Sequence, residues 1–273
     1  MIIRFLIALF SLSLAGNTLC AEPKSRSEIT HEIEEEVYIY AAMASNAYDE
    51  RENIFPLSKI GWEKLALDGS TIQSIGEHTY TRGAGLAFDV WRKVGSNDIV
   101  IAFRGSDSKY DYVAANLTII SWQYKSAAKQ VKLFLKKNPG LRLIAATGHS
   151  LGGGLAISLS LKHTVNAYAF DSSPRIFDGF MDLDLRREEQ SGTSPRRIHI
   201  FESGEALESY RRFSTKFYDI IHEEYVAHYD FGNDSDGNKI SLHSGYHLAL
   251  KMIQNASQKS PGAAALLANA ESP

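Results

Sequence analysis

The chain is 273 residues long and 44% hydrophobic, which is enough for one full-sized core without a second domain. Its formal net charge is −3 with the two signs well mixed, so there is no electrostatic case for nucleic acid as its main partner. Cys20 is the only cysteine; a disulfide within one chain is therefore excluded, and a cysteine-based metal site or nucleophile has no support.

At the N-terminus, Arg4 precedes the apolar run Phe5 to Leu14, which Ala15-Gly16-Asn17 break. The run is too short to span a bilayer comfortably, and no stop-transfer pattern follows. Residues 1–21 are expected to be a signal peptide, with cleavage after Ala21 preferred to cleavage after Gly16; the alternative is a permanent anchor. Cys20 follows Asn17-Thr18-Leu19, a poor match to a lipoprotein site, and would leave with the peptide. The expected destination is the medium or a periplasm, and no later segment is apolar enough to cross a membrane.

In residues 31 to 49, Ile33, Val37, Tyr40, Ala41, Ala44 and Tyr48 recur at helical spacing and predict an amphipathic helix. Pro56 and Gly61 interrupt the chain, and residues 57 to 83 read as short elements and turns. Residues 87 to 91 alternate like a strand, Gly95-Ser96-Asn97-Asp98 is a turn, and Ile99 to Phe103 is a continuous apolar run that suits a strand buried on both faces. Residues 119 to 136 predict a helix with Ala127, Val131 and Leu133 inward and lysines outward, ended by Pro139-Gly140. A strand over 141–147, a glycine-rich turn over 148–154 and a helix over 155–162 follow. Strands are expected at 167–170 and 197–201, with polar loop or short helix at 175–196 between them. Two more are expected at 223–231 and 238–242, joined at Asp236-Gly237, and then a helix over 245–253. Residues 256–273, rich in Ala, Ser and Pro, read as a flexible tail. Strands alternating with helices imply a mostly parallel central sheet with helices on both faces, and ligands in such sheets bind at the carboxyl ends of the strands.

The motif that carries chemistry is Gly148-His149-Ser150-Leu151-Gly152, a G-x-S-x-G sequence with Gly153 and Gly154 behind it. It follows an apolar strand directly and precedes an apolar helix directly. That context separates it from a structural turn that merely holds a serine. A sharp strand-to-helix turn strains the serine, and small neighbours are needed where strand and helix approach. Such a turn exposes the hydroxyl above the sheet and sets the first helical amides near a developing oxyanion. A serine hydroxyl is a weak nucleophile near neutral pH and needs a base, which itself needs an orienting acid. The fold expected is that of the α/β-hydrolases, where the order along the chain is Ser, acid, His. Of the nine histidines, His243 follows the last expected strand and precedes the last helix, where this fold places its base; His247, one turn on, is its rival.

With Ser150 placed, other segments fall into a known order, and the chain resembles the class 3 lipase family of the α/β-hydrolases. Ile101-Ala102-Phe103-Arg104-Gly105-Ser106 is similar to that family's apolar strand leading into F-R-G-[ST], and Asp111-Tyr112 with Asn116-Leu117 to its D-W-x-x-N-L, with Tyr for Trp. Gly148 to Gly153 matches its G-H-S-L-G-G, Ser173-Pro174-Arg175 its S-P-R, and His243 with Tyr246 its terminal H-x-x-Y. The resemblance covers about residues 31 to 253 and implies one hydrolase domain over 22–255. It implies Ser150 as nucleophile, His243 as base, and an oxyanion hole made by Leu151 and Ser106. The family's acid is usually Asp; the matching place here is Gly204-Glu205, so Glu205 leads, with Glu202 at the same strand end and Asp171 at the preceding one as alternatives.

The stretch after Ser106, where fungal relatives carry a lid, is polar over Asp107 to Asp111, which argues mildly against activation at an oil surface. Asp230 to Gly237 resembles a calcium loop but lacks two ligands, since Gly232 and His243 occupy their places; it reads as a hairpin turn. No metal or other cofactor is expected. The function expected is a secreted serine ester hydrolase acting through an acyl-enzyme on a lipid or other carboxylic ester, with transient contact to a membrane surface. The alternatives are a phospholipase, a thioesterase or amidase on the same triad, or a binding protein that kept the fold without turnover.

Overall fold

The computed structural model describes residues 31–48, 55–74, 76–82, 85–105, 117–173, 195–208, 225–229 and 241–269. In chain order the described elements are α1 (His31–Asn46), a 3-10 turn (Leu57–Ile60), β1 (Trp62–Leu65), β2 (Tyr80–Arg82), β3 (Leu86–Lys93) and β4 (Asp98–Phe103). Next come α2 (Leu117–Lys137), β5 (Arg142–His149), α3 (Leu151–His163), β6 (Asn166–Phe170), β7 (Arg197–Glu202) and β8 (Tyr225–Tyr229). A 3-10 turn (Ser241–His243), α4 (Gly245–Ala256) and α5 (Pro261–Asn269) complete them.

The strands form one sheet in the order β1-β3-β4-β5-β6-β7-β8, with β2 also paired to β3. β1, β2, β3 and β4 meet antiparallel, whereas β4 through β8 run parallel. The apolar run Ile99 to Phe103 behaves as its composition predicts. Val100 and Ala102 face one core with α1 and α4, and Ile99, Ile101 and Phe103 face another with α2 and α3. Every residue of that run is fully buried, because helices cover both faces of the parallel strands.

α1 lies against the sheet and is also covered by α4 and α5, so Ala41, Ala42, Met43, Ala44 and Ala47 are buried nearly all round it. Small side chains let the helix approach closely. Tyr40 stacks on Tyr168 of β6 at 3.8 Å between ring centres, and Tyr168 donates its hydroxyl hydrogen bond to Glu36 at 2.8 Å. Burial and the Glu36 carboxylate push the Tyr168 hydroxyl pKa far up, so it stays a donor.

Several sequence expectations need correction. On α2, Phe134 is 2% exposed and packs inward with Ala127 and Val131, whereas Leu133 is 49% exposed. The inward series 127, 131, 134 is the i, i+4, i+7 series of a helix, and Leu133 is one residue out of step with it. The helix expected from residue 155 begins at Leu151, and the strand before it runs through His149, so the glycine-rich turn reduces to Ser150. Residues 241 and 242, expected in a strand, belong to a 3-10 turn. The tail expected over 256–273 contains α5, whose Ala263 and Leu266 are fully buried against the α1–α4 core. No helix among the described residues is long and apolar enough to cross a membrane.

Candidate active site

β5, β6 and β7 are adjacent and parallel, so their carboxyl ends open on one edge of the sheet. At the end of β5, Ser150 adopts φ 55° and ψ −126°, a positive-φ conformation outside the regions ordinary side chains favour, which costs a non-glycine residue roughly 1–3 kcal/mol. Hydrogen bonds hold it there. The Ser150 amide donates to the Phe170 carbonyl at 2.9 Å, and the Ser150 carbonyl accepts from the amides of Gly153 at 3.0 Å and Ser173 at 2.9 Å. The tightness of the turn decides its flanking residues. A Cβ on Gly148 would collide with the backbone of Gly152, and a Cβ on Gly152 with the carbonyl oxygen of Phe103. Both positions must therefore be glycine for β5, β4 and α3 to meet as they do.

The structure brings Ser150, His243 and Glu205 together. His243 Nε2 lies 3.0 Å from Ser150 Oγ, and His243 Nδ1 lies 2.7 Å from Glu205 Oε2. Glu205 is 2% exposed in the turn after β7, and its Oε2 also accepts the Leu207 amide hydrogen bond at 2.8 Å. A carboxylate only accepts, so the ring proton belongs on Nδ1 and Nε2 is left with a lone pair toward the serine. His243 closes the 3-10 turn before α4. Ser244 caps that helix by accepting the His247 amide at 3.3 Å. The rival base His247 is exposed on α4, with its ring centre 5.7 Å from that of Tyr246.

The rival acids lie at the ends of β6 and β7. Asp171, fully buried with φ 42°, accepts the Glu202 amide at 2.7 Å through Oδ1, which ties the end of β6 to β7. Glu202 is 1% exposed at the end of β7. Of the expected oxyanion residues, Leu151 opens α3. Its amide has no carbonyl partner within the helix and sits at the positive end of the helix dipole. Ser106 lies outside the described residues, as do Asp111, Tyr112, Asn116, Pro174, Arg175 and the Asp230 to Gly237 loop.

A second layer escaped the sequence reading. His149, which precedes the serine, is 4% exposed, and its Nδ1 lies 2.7 Å from the Tyr48 hydroxyl. Its ring centre is 4.7 Å from that of His243, and the backbone of Gly245 at the start of α4 rests against it. Asp171 Oδ2 is 3.8 Å from His149 Nε2, too long for a hydrogen bond but near enough to attract a proton. Burial is the larger influence and holds the His149 pKa below its ordinary value; the Asp171 carboxylate pulls the other way. The available signal was position alone, in the variable place of G-x-S-x-G beside Ser150. His149, Asp171 and His243 are also the one group among the described residues with metal-compatible spacing, their ligand atoms lying within 4.8 Å. Both ring nitrogens of His243 are already engaged, however, so the geometry reads as a hydrogen-bonded network.

A depressed histidine has a stability consequence. Between the unfolded pKa, about 6.5, and the lower folded value, the unfolded chain binds more protons, so stability falls as pH drops through that window and is fully present above it. One ring contributes a slope of at most about 1.4 kcal/mol per pH unit. His163, half-buried and depressed by burial and by Lys162 and Lys132, adds to the same slope. Denaturant titrations from pH 7 to pH 5 are expected to show the decline, and His149→Gln to flatten it in part. An unchanged slope in that variant would show that His149 is not the buried neutral group described.

Parallel strands that deliver a strained serine, a carboxylate and an imidazole to one edge are the organisation of the α/β-hydrolases, the fold of lipases and esterases, and this chain has it. Its sequence places it more narrowly. Residues 39–202, more than half of the chain, match the phospholipase-like family described as the Tle-like phospholipase domain, and the chain belongs to that family. The class 3 lipase motifs agree with this membership as a distant relationship.

Solved structures that it is similar to include the Lip2 lipase from Yarrowia lipolytica, at 14% identity and TM-score 0.46, with 67% of this chain and 75% of that chain covered. A triacylglycerol lipase from Penicillium expansum aligns at 16% identity and TM-score 0.43, covering 80% of this chain and 89% of the other. A hyperthermophilic esterase from Pyrobaculum calidifontis aligns at 11% identity and TM-score 0.37, covering 99% and 98%. No curated protein is detectably similar to the chain in sequence.

Proposed function

We propose that the chain hydrolyses the carboxylic esters of phospholipids through an acyl-enzyme on Ser150. The hydrogen-bonded line Ser150–His243–Glu205 carries this reading, and membership of a phospholipase-like family supports the substrate class. Ser150 Oγ attacks the ester carbonyl carbon as His243 Nε2 takes its proton, and the carbonyl electron pair moves onto oxygen. The Leu151 amide, at the positive end of α3, is suited to receive that oxyanion, and Ser106 is proposed as the second donor. Collapse of the intermediate breaks the bond to the alcohol, which leaves as a lysophospholipid carrying the proton from His243. Water then attacks the acyl-enzyme with His243 again as base, releasing the fatty acid and restoring Ser150. Glu205 holds the ring with Nδ1 protonated and stabilises the imidazolium that forms.

The direct test is product analysis on a panel of diacyl phospholipids, triacylglycerols and short-chain esters. Free fatty acid and lysophospholipid are the expected products. Release of a phosphorylated head group, or preferred cleavage of an amide or thioester, would refute the proposed reaction.

A further inference from the structure

α2 carries an unusual outward face. Its 21 residues include five lysines and no acidic residue, although the whole chain holds more acidic residues than basic ones. Trp122, Lys125, Lys129, Lys132, Leu133 and Lys136 fall within an arc of about 100° at 3.6 residues per turn. All six are exposed, and Tyr124, Ala127, Val131 and Phe134 occupy the buried side. Trp122 and Leu133 are two of the four large hydrophobic side chains exposed among the described residues, at 46% and 49%.

The arrangement works against the helix itself. Lys125 with Lys129 and Lys132 with Lys136 are like charges at i, i+4 spacing, which destabilises a helix, and no acid within α2 offsets them. Neighbouring elements add more cations. The Arg82 guanidinium lies 5.6 Å over the Trp122 ring, and Lys162 of α3 stands beside His163, where Lys132 also acts. A solvated lysine face alone would not need an exposed indole and an exposed leucine on the same stripe. Lysines flanking Trp and Leu on one helical surface are what an interfacial helix presents to lipid head groups and the first acyl carbons beneath them.

We propose that this stripe of α2 docks the protein on an anionic phospholipid bilayer. The choice of a bilayer over other polyanions rests on the phospholipid reading above, since that substrate lies in such a surface. The stripe is also tied to the site: α2 packs on α3, and the Tyr124 hydroxyl fills the space beside Gly154, in the first turn after Ser150. The Trp122 end therefore lies at the catalytic edge of the sheet. A bilayer bound there would supply esters close to the serine.

The test is co-sedimentation of the full chain with vesicles of phosphatidylcholine alone and of phosphatidylcholine mixed with phosphatidylglycerol, at low and high salt. Each lysine near an anionic surface contributes roughly a fivefold factor in partitioning. Lys125→Ala/Lys129→Ala/Lys132→Ala is therefore expected to weaken binding to the mixed vesicles on the order of a hundredfold. High salt should reduce wild-type binding in the same direction. Turnover of a water-soluble short-chain ester reports that the variant is folded, and it should be unchanged. Equal binding of wild type and variant to the mixed vesicles would overturn the proposal, as would absence of wild-type binding. Tighter lysine-dependent binding to a single-stranded RNA than to the mixed vesicles would also overturn it, in favour of a nucleic-acid surface. Sedimentation reads binding whether or not an ester is cleaved, so failure of the hydrolase reading would show separately as loss of soluble-ester turnover in the wild type.

Discussion

Ser150→Ala is expected to lower kcat on ester substrates by on the order of 10⁶ and to abolish labelling by a fluorophosphonate probe. The size follows from the mechanism. No second hydroxyl is placed against His243 Nε2 in the described site, and a water there would have to be bound and oriented anew. The proposed oxyanion donors remain in the variant, so residual rate above the uncatalysed reaction is expected. Stability should not fall, because removing the hydroxyl leaves the backbone hydrogen bonds to Phe170, Gly153 and Ser173 in place. Equal turnover in wild type and variant, measured with a chromogenic short-chain ester, would remove Ser150 from the chemistry and with it the acyl-enzyme. Labelling that persists in the variant would move the nucleophile to another residue.

Glu205→Gln is expected to lower kcat by on the order of 10⁴ with little change in KM. The amide has nearly the shape of the carboxylate but can present its NH₂ to the ring. His243 then favours the tautomer with the proton on Nε2, which faces Ser150 Oγ and can no longer accept. The imidazolium formed in the reaction also loses its countercharge. Glu205→Asp should recover part of the rate, since it restores the charge but falls short by one methylene of the 2.7 Å contact. The same experiment separates the three carboxylates at these strand ends. Asp171→Asn keeps an oxygen for the Glu202 amide, and its effect on kcat is expected to stay within about tenfold. A larger loss from Asp171→Asn than from Glu205→Gln would exchange their roles. Comparison of kcat and KM for the set, with circular dichroism as the check on folding, decides between them.

Most of the framework is legible in the residues because the signals are local. The apolar run Ile99 to Phe103 suits a strand buried on both faces, and the structure places it between two helical layers. The glycines around Ser150 declare a turn too tight for side chains, and their surroundings confirm the collisions. Misreadings occur where local signal is weak or must compete with distant contacts. Leu133 and Phe134 are neighbours of similar hydrophobicity, and helical phase alone separates them. The Ala-rich segment after Pro261 has no strong periodic pattern. It becomes helix α5 because Ala263 and Leu266 find the core beside α4 and beside α1, which is more than 200 residues away in sequence.

By itself, the sequence determined a strand–serine–helix turn, an order of elements that makes the sheet parallel, and a short roster of groups able to serve that serine. Tertiary structure alone decided which members of the roster meet. Ser150 and His243 are 93 residues apart and His243 and Glu205 are 38 apart, so their contacts depend on where β7 ends and how α4 is seated, in part against the buried ring of His149. The physical reason is reach. Backbone sterics and hydrophobic period act over a few residues and are written locally, whereas a hydrogen bond needs atoms within about 3 Å, a precision that only the packed core provides.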